Sequence, residues 1–232
     1  ADSIVVGRFV GKEALAAVSG SVNQIVTLIV EVFVGLTSGA SVIIAQFYGA
    51  KDHKNLNRTL HTAYAFAIVT GAIVGLIGFW ITEKVLIAMK TPSELMADSV
   101  IYLHIYFCGM IFNIVYNMGA SILRAVGDSR RPLYVLIMTC GLNIFFDIML
   151  VVFLKMGVMG VAIATVSCQG ISACMVTWIL IKGNSLFRLK IREIRFYMAS
   201  LQSVLRIGIP AALEATMYTI ANLIIQIFVN GL

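Results

Sequence analysis

The stretch PLYVLIMTCGLNIFFDIMLVVFL (residues 132–154) is an uncharged run that a single acid, Asp147, interrupts. A run of this length matches the roughly 20 apolar residues that an α-helix needs to cross a bilayer. A carboxylate near the bilayer centre costs about 2.5–3.5 kcal/mol even on lenient insertion scales, so such a group usually faces a bundle interior and has a function there. Asn143 precedes Asp147 by one helical turn, which predicts that both side chains lie on one face of the helix.

The composition is that of an integral membrane protein. Hydrophobic residues make up 60% of the chain and charged residues 12%, whereas soluble proteins average about 25% charged. The mean hydropathy of +0.96 agrees with this interpretation. The cysteines lie in apolar runs without CxxC or Cys/His spacing, which favours a packing role over a disulfide or a metal site: Cys108, Cys140, Cys168 and Cys174. We therefore predict an all-α, polytopic bundle of transmembrane helices.

Charge clusters divide the chain into seven apolar segments, of which the first is a partial span. Their approximate limits are 1–10, 20–50, 59–82, 97–123, 132–154, 157–181 and 203–230. The chain opens inside an apolar segment and without a methionine, so we expect a fragment whose start is missing.

The loops between these segments alternate in basic content. Of the 17 Lys and Arg residues, 12 fall after the second, fourth and sixth segments, and the positive-inside rule therefore places those loops in the cytoplasm. The basic stretch 182–206 also carries apolar residues, so it is either an amphipathic segment on the inner leaflet or a plain linker.

The first and seventh segments run in the same direction and resemble each other weakly. ADSI (residues 1–4) aligns without gaps with ANLI (residues 221–224), and the offset of 220 residues is what a parallel duplication of a six-span unit would give. We predict an N-lobe at 1–181, a cytoplasmic linker at 182–202, and the first helix of a second lobe at 203–232.

Three polar residues on three segments have a similar predicted depth. From the rise per helical residue, Asp2, Asp147 and Thr165 each lie about 12–14 Å below the outer surface. They could form one oxygen-lined site, in which neighbouring carboxylates favour a bound proton or a hard cation such as sodium. The alternative for Asp147 and Asn143 is a structural hydrogen-bonding pair between helices.

Glu214 is the second candidate, since it lies alone in an apolar run four residues after Pro210. It is predicted in a different layer from Asp147, either as a substrate or proton site or as a helix-pairing partner. Glu31 and His104 are predicted to lie near the outer interface and to take no part in the functional site. The sequence contains no GxxxxGK[ST], HExxH, DDxxD or GxSxG motif, so we predict that the protein is not an enzyme.

Several motifs resemble the multidrug and toxic compound extrusion (MATE) family: RAVGDSRRP (residues 124–132), AQFYGAK (45–51), and DSIVVG (2–7) with ALAAV (14–18). The resemblance implies a twelve-helix antiporter of two six-helix lobes that exports cationic or amphiphilic compounds in exchange for sodium ions or protons. This chain would supply the N-lobe and the seventh helix. The residues that match the family's N-lobe cation site are Asp2, Asn143, Asp147 and Thr165, and Glu214 matches a membrane-embedded glutamate of the seventh helix.

The resemblance also implies alternating access, a monomeric full-length protein in the bacterial inner membrane, and no cofactor beyond the coupling ion. Its partners would be small cationic molecules and membrane lipid, without nucleic acid. Glu31 and His104 depart from the family pattern. Two alternatives stay open: a lipid-linked sugar flippase, which would need a more basic cleft, and a membrane enzyme that uses Asp147 and Glu214 as acid and base, which would need them close together.

Overall fold

A computed structural model of the protein describes residues 2–183 and 187–230. Every regular element in these ranges is helical, which confirms the all-α prediction. The helices are α1 (Asp2–Phe9), α2 (Lys12–Ser19), α3 (Ser21–Gly49), α4 (His53–Ala88), α5 (Ser93–Cys108), α6 (Met110–Ala125), α7 (Arg130–Asp147), a π-helix (Ile148–Phe153), α8 (Gly157–Ile181), a 3-10 turn (Ile191–Glu193) and α9 (Met198–Asn230).

The described residues contain five helical segments that are long and apolar enough to cross a membrane, and a bent pair of helices could provide a sixth. This confirms a multi-pass bundle. The third predicted segment is longer than expected, because α4 has 36 residues where the apolar pattern gave 59–82. At 1.5 Å per residue such a helix is about 54 Å long, so it extends beyond a hydrocarbon core of about 30 Å. The side chains of residues 1–4 lie outside the described part of the molecule, so their weak similarity to residues 221–224 stays a prediction.

The predicted span 97–123 is wrong as a single helix. It is broken at Gly109 into α5 and α6, which meet at an angle of 51°. A Cβ on Gly109 would lie 2.5 Å from Cγ1 of Val166 on α8, so only glycine allows this close approach. Glycine is also a poor helix former, so interrupting the helix at Gly109 costs little free energy. The sequence also missed α2, which was assigned to a loop.

Asp52 fixes the start of α4 at the cytoplasmic end of the bundle. Its carboxylate accepts hydrogen bonds from the backbone N–H of Asn55 at 3.1 Å and from the Asn55 side chain at 2.7 Å. These bonds satisfy a backbone donor that a helix N-terminus leaves unpaired, and they hold the pKa of Asp52 below its ordinary value.

Two groups of helices position the candidate sites. In the first, α3 packs against α9, α4 and α6, with an apolar core that includes Ile44, Leu60 and Met118. In the second, α7 packs against α8, and the short α1 contacts α7, the π-helix and α8. The polar residues predicted on α1, α7 and α8 therefore lie on helices that pack together.

The segment between α8 and α9 is docked on the bundle. Leu189 is buried, while Ile191 and Phe196 are exposed. The backbone N–H of Lys190 donates to Nε2 of His61 at 3.1 Å, so the segment is anchored to α4. Its only regular element in the described residues is the 3-10 turn, and the choice between an amphipathic segment on the inner leaflet and a plain linker stays a prediction. The division into lobes at 182–202 stays a prediction.

Candidate cation site

Asp147 is the last residue of α7, and the chain continues directly into the π-helix Ile148–Phe153. The wider winding shows in the hydrogen bond from the N–H of Leu154 to the carbonyl of Met149, at 3.1 Å. Short π-helical turns inside membrane helices are uncommon and frequently occur at functional sites. The carboxylate predicted to be functional is therefore placed at a change of helical winding, which the sequence did not indicate.

Asp147 is completely buried, with 0% of its surface exposed. Asn143, one turn earlier on α7, and Thr165, on the adjacent α8, are half-buried. Asp147 and Thr165 each make an interaction, so neither is without a partner. Burial of a carboxylate at this depth agrees with the bundle-facing orientation that the cost of desolvation predicts.

Asp2 begins α1, which packs against α7, the π-helix and α8. The side chain of Asp2 lies outside the described part of the molecule, so its membership of the site stays a prediction. The helices that carry Asp2, Asn143, Asp147 and Thr165 nevertheless meet in one place. Carboxylate, amide and hydroxyl oxygens are ligands that suit a hard cation, and a carboxylate can alternatively hold a proton.

Glu214 lies apart from these residues. It is exposed on α9, and α9 packs against α3 and α4, whereas α7 packs against α8, α1 and α6. The structure therefore does not bring Glu214 to the helices that carry Asp147. An acid and base pair made from Asp147 and Glu214, as the enzyme alternative needs, has no support in this packing. The helix itself continues through Pro210 without a break.

Sequence reasoning missed a contact of Glu31. This residue is half-buried on α3, and its carboxylate accepts a hydrogen bond from the hydroxyl of Thr219 on α9. Its place near the outer interface and its lack of a functional role stay predictions, and the structure adds that Glu31 lies where α3 packs against α9. The available signal was the pair of hydroxyls of Thr216 and Thr219 in a largely apolar helix. His104 is half-buried and stacks on Phe79, with ring centroids 4.3 Å apart.

The fold and the buried carboxylate define a multi-pass helical membrane protein of the transporter kind. The MatE family model matches residues 1–149, which is more than half of the sequence, and the chain belongs to this family.

Relatives of known sequence agree with this assignment. The chain is 31% identical over 235 residues to "Probable multidrug resistance protein YoeA" of Bacillus subtilis, covering 98% of this chain and 50% of that protein. It is 28% identical to "Probable multidrug resistance protein NorM" of Thermotoga maritima, covering 92% of this chain and 46% of that protein. The chain thus spans about half the length of the relatives it matches.

Solved structures of MATE transporters have the same arrangement of helices. An inward-facing multidrug resistance MATE transporter matches with a TM-score of 0.87 at 25% identity, over 95% of this chain and 50% of that one. An outward-facing structure matches with a TM-score of 0.85 at 25% identity, over 92% of this chain and 47% of that one.

Proposed function

We propose that this chain forms the N-terminal half of a cation-coupled antiporter that exports cationic or amphiphilic small molecules by alternating access. The observation that carries the proposal is the complete burial of Asp147 at the junction of α7 and the π-helix. The names of the relatives, which are multidrug resistance proteins, support export of small molecules as the activity.

In this proposal, the coupling ion binds between α1, α7 and α8, at Asp2, Asn143, Asp147 and Thr165. A sodium ion would be held by their oxygen atoms, and a proton would be held by a carboxylate. Ion binding would favour one arrangement of these helices over another, and the bound compound would favour the other arrangement. Exchange follows from this difference in affinity, because a ligand shifts a conformational equilibrium only by its differential binding. No catalytic step is part of the proposal.

Glu214 would act separately from this site. Its exposed carboxylate on α9 could contact a cationic substrate or exchange a proton, as the family resemblance implies. Its distance from the α7 and α8 group means that such a role would be additional to ion binding at Asp147.

The test uses the full-length transporter in energised inverted membrane vesicles. Accumulation of a cationic dye is recorded under a sodium gradient at equal pH, and under a proton gradient without sodium. We expect the wild type to accumulate dye under at least one gradient, which identifies the coupling ion. Asp147→Asn, which keeps the side-chain shape but not the charge, should reduce uptake to that of vesicles without transporter.

Glu83→Gln is the matched control, because Glu83 is an exposed carboxylate on α4. It should transport like the wild type. If the wild type moves no dye under either gradient, antiport of cationic compounds is wrong. If Asp147→Asn transports normally, the activity stands but the proposed ion site does not.

A further inference from the structure

A groove of about 770 Å³ opens where the cytoplasmic ends of α3, α7 and α8 meet. Three cationic side chains line it: Arg130 and Arg131 at the start of α7, and Lys182 directly after α8. The residues come from the RAVGDSRRP motif and from the segment after α8, so distant parts of the sequence build one positively charged surface. The proposed ion exchange at Asp147 makes no use of this groove.

One carboxylate, that of Asp128, also lines the groove. Its Oδ2 pairs with Nε of Arg131 at 3.2 Å, and its Oδ1 accepts the backbone N–H of Arg131 at 3.2 Å. Asp128 therefore orients one arginine. Positive charge remains in excess, because Arg130 and Lys182 line the same groove. Arginine side chains suit phosphate because their planar N–H groups match its oxygens in pairs.

Aromatic residues place this groove at the boundary between membrane and cytoplasm. Nζ of Lys182 lies 4.5 Å from the ring centroid of Trp178, and Trp178 is 60% exposed on α8. Tyr134 lines the groove one turn into α7 and is 66% exposed. Exposed Trp and Tyr side chains are typical of the level of the lipid headgroups. The groove therefore faces headgroups of the inner leaflet rather than bulk cytosol alone.

Aromatic and aliphatic side chains form another part of the wall. Phe187 is buried and packs edge-on against Tyr48, with ring centroids 6.4 Å apart, and Val126 is buried beside them. A free phosphate ion would gain nothing from such a wall. A phospholipid presents a charged phosphate next to an apolar glycerol ester region, and this pattern matches a cationic rim joined to an aromatic wall.

We propose that this groove binds the headgroup phosphate of an anionic phospholipid of the inner leaflet, such as phosphatidylglycerol. Arg130 and Lys182 hold the phosphate, Arg131 is presented by Asp128, and Tyr48 and Phe187 contact the glycerol region. A bound lipid joins the start of α7 to the end of α8. The site thereby links lipid composition to the two helices that carry Asp147 and Thr165.

The test measures lipids retained by the purified full-length protein with native mass spectrometry, after exchange into mixed micelles that contain phosphatidylglycerol or phosphatidylcholine. The wild type should retain one phosphatidylglycerol in preference to phosphatidylcholine. The double variant Arg130→Gln/Lys182→Gln should weaken this retention at least about tenfold, as expected when two charge-assisted phosphate contacts are lost. Lys182→Arg should retain the lipid.

The control is Lys54→Gln/Arg192→Gln, which removes two exposed cationic residues of the same cytoplasmic side that do not line the groove. It should keep the bound phosphatidylglycerol, whereas a purely non-specific attraction would be weakened equally in both double variants. That equality would overturn the proposal, as would equal retention of the two lipids by the wild type. Competition with glycerol phosphate distinguishes a lipid site from a site for soluble phosphates. If glycerol phosphate displaces phosphatidylglycerol at equal concentration, the groove binds soluble phosphates and the lipid assignment is wrong.

Discussion

At the scale of single residues, the contact between Glu31 and Thr219 joins α3 to α9. The hydroxyl of Thr219 donates to the Glu31 carboxylate, and Thr219 is buried. A half-buried carboxylate in this environment needs hydrogen-bond donors, because transfer of a charge out of water is costly. Thr216, one turn earlier, is equally buried but donates to the carbonyl of Ala212 on its own helix.

This difference predicts that two similar substitutions have different effects on the free energy of unfolding. Thr219→Val removes a hydrogen bond between helices and should lower the free energy of unfolding by about 0.6 kcal/mol, the average for such bonds in membranes, and by at most about 1.7 kcal/mol. Thr216→Val removes only a bond within α9 and should change it little. Unfolding of the purified protein by titration with sodium dodecyl sulfate measures both. Equal losses would mean that the Glu31 contact adds nothing to stability.

His61 uses both ring nitrogens at the cytoplasmic end of α4. Nδ1 lies 2.7 Å from the carbonyl of Asn57, and Nε2 accepts the backbone N–H of Lys190 at 3.1 Å. This pattern assigns the proton of the neutral ring to Nδ1. The side chain is 3% exposed, so its partners would not be rescued fully by water.

His61→Phe should therefore release the segment that contains Lys190. The unpaired N–H of Lys190 would cost about 1–3 kcal/mol, and this amide should exchange its hydrogen faster, whereas the carbonyl of Asn57 keeps its backbone partner within α4. Hydrogen exchange followed by mass spectrometry of peptides that cover the segment measures this. His53→Phe is the control, since His53 is exposed, and it should leave exchange unchanged. Protection that persists in His61→Phe would show that Leu189 packing alone holds the segment.

The sequence allowed the burial of Asp147 to be predicted, because the energy of a carboxylate in lipid leaves few alternatives. It did not allow the surroundings of Glu31 to be predicted. The apolar pattern placed Glu31 near the outer interface, but it gave no sign that α3 packs against α9 at this residue. Glu31 and Thr219 are almost 190 positions apart in the sequence. The register between their two helices is set by tertiary packing, and no local pattern encodes it.

At the scale of elements, small residues allow α3 and α9 to cross closely. Gly35 and Gly39 on α3 face Ala212 and Gly208 on α9, so each helix presents small residues four positions apart. A Cβ on Gly35 would lie 2.2 Å from Cα of Ala212, and one on Gly39 would lie 2.5 Å from the backbone nitrogen of Gly208. Such small residues let helix backbones approach each other in membranes, where van der Waals packing drives association.

Gly39→Ala should push these helices apart and lower the free energy of unfolding by about 1–3 kcal/mol, as overpacking does elsewhere. Gly141→Ala on α7 is the matched control, because a Cβ there meets nothing within 4 Å. It should be neutral or stabilising by up to about 1 kcal/mol, since alanine is the better helix former. Both changes replace glycine by alanine. A loss of stability for Gly39→Ala alone, in the same detergent unfolding assay, is therefore due to the close approach of α3 and α9. Equal effects would contradict the crossing.

The length of each apolar segment predicted that these helices exist. It did not predict where a helix bends or changes its winding. The bend at Gly109 depends on the contact with Val166, and the π-helix after Asp147 lies in a uniformly apolar sequence. Hydropathy indicates how long a segment can lie in the hydrocarbon core of a membrane. It does not indicate where the helical winding of that segment changes. The docked segment before α9 was ambiguous for a similar reason, because its basic and apolar residues suit several arrangements.

At the scale of the whole molecule, the chain resembles both the inward-facing and the outward-facing MATE structures over nearly all its length. The helix arrangement within this chain is therefore compatible with both states of the proposed transport cycle. We expect α9 to keep its position on α3 and α4 during the cycle, and the larger movement to occur against the rest of the full-length protein.

A disulfide between α4 and α9 tests this expectation. The hydroxyl oxygens of Thr59 and Ser200 lie 3.3 Å apart, so the two side chains are in contact, and Thr59→Cys/Ser200→Cys is expected to form a disulfide when an oxidant is added. The native cysteines of the chain are first replaced by serine or alanine. If α4 and α9 move as one body, the oxidised protein should transport dye at the rate of the reduced protein, and each single-cysteine variant should do the same. Loss of transport on oxidation, with recovery on reduction, would place a required movement between α4 and α9 and would contradict a rigid unit.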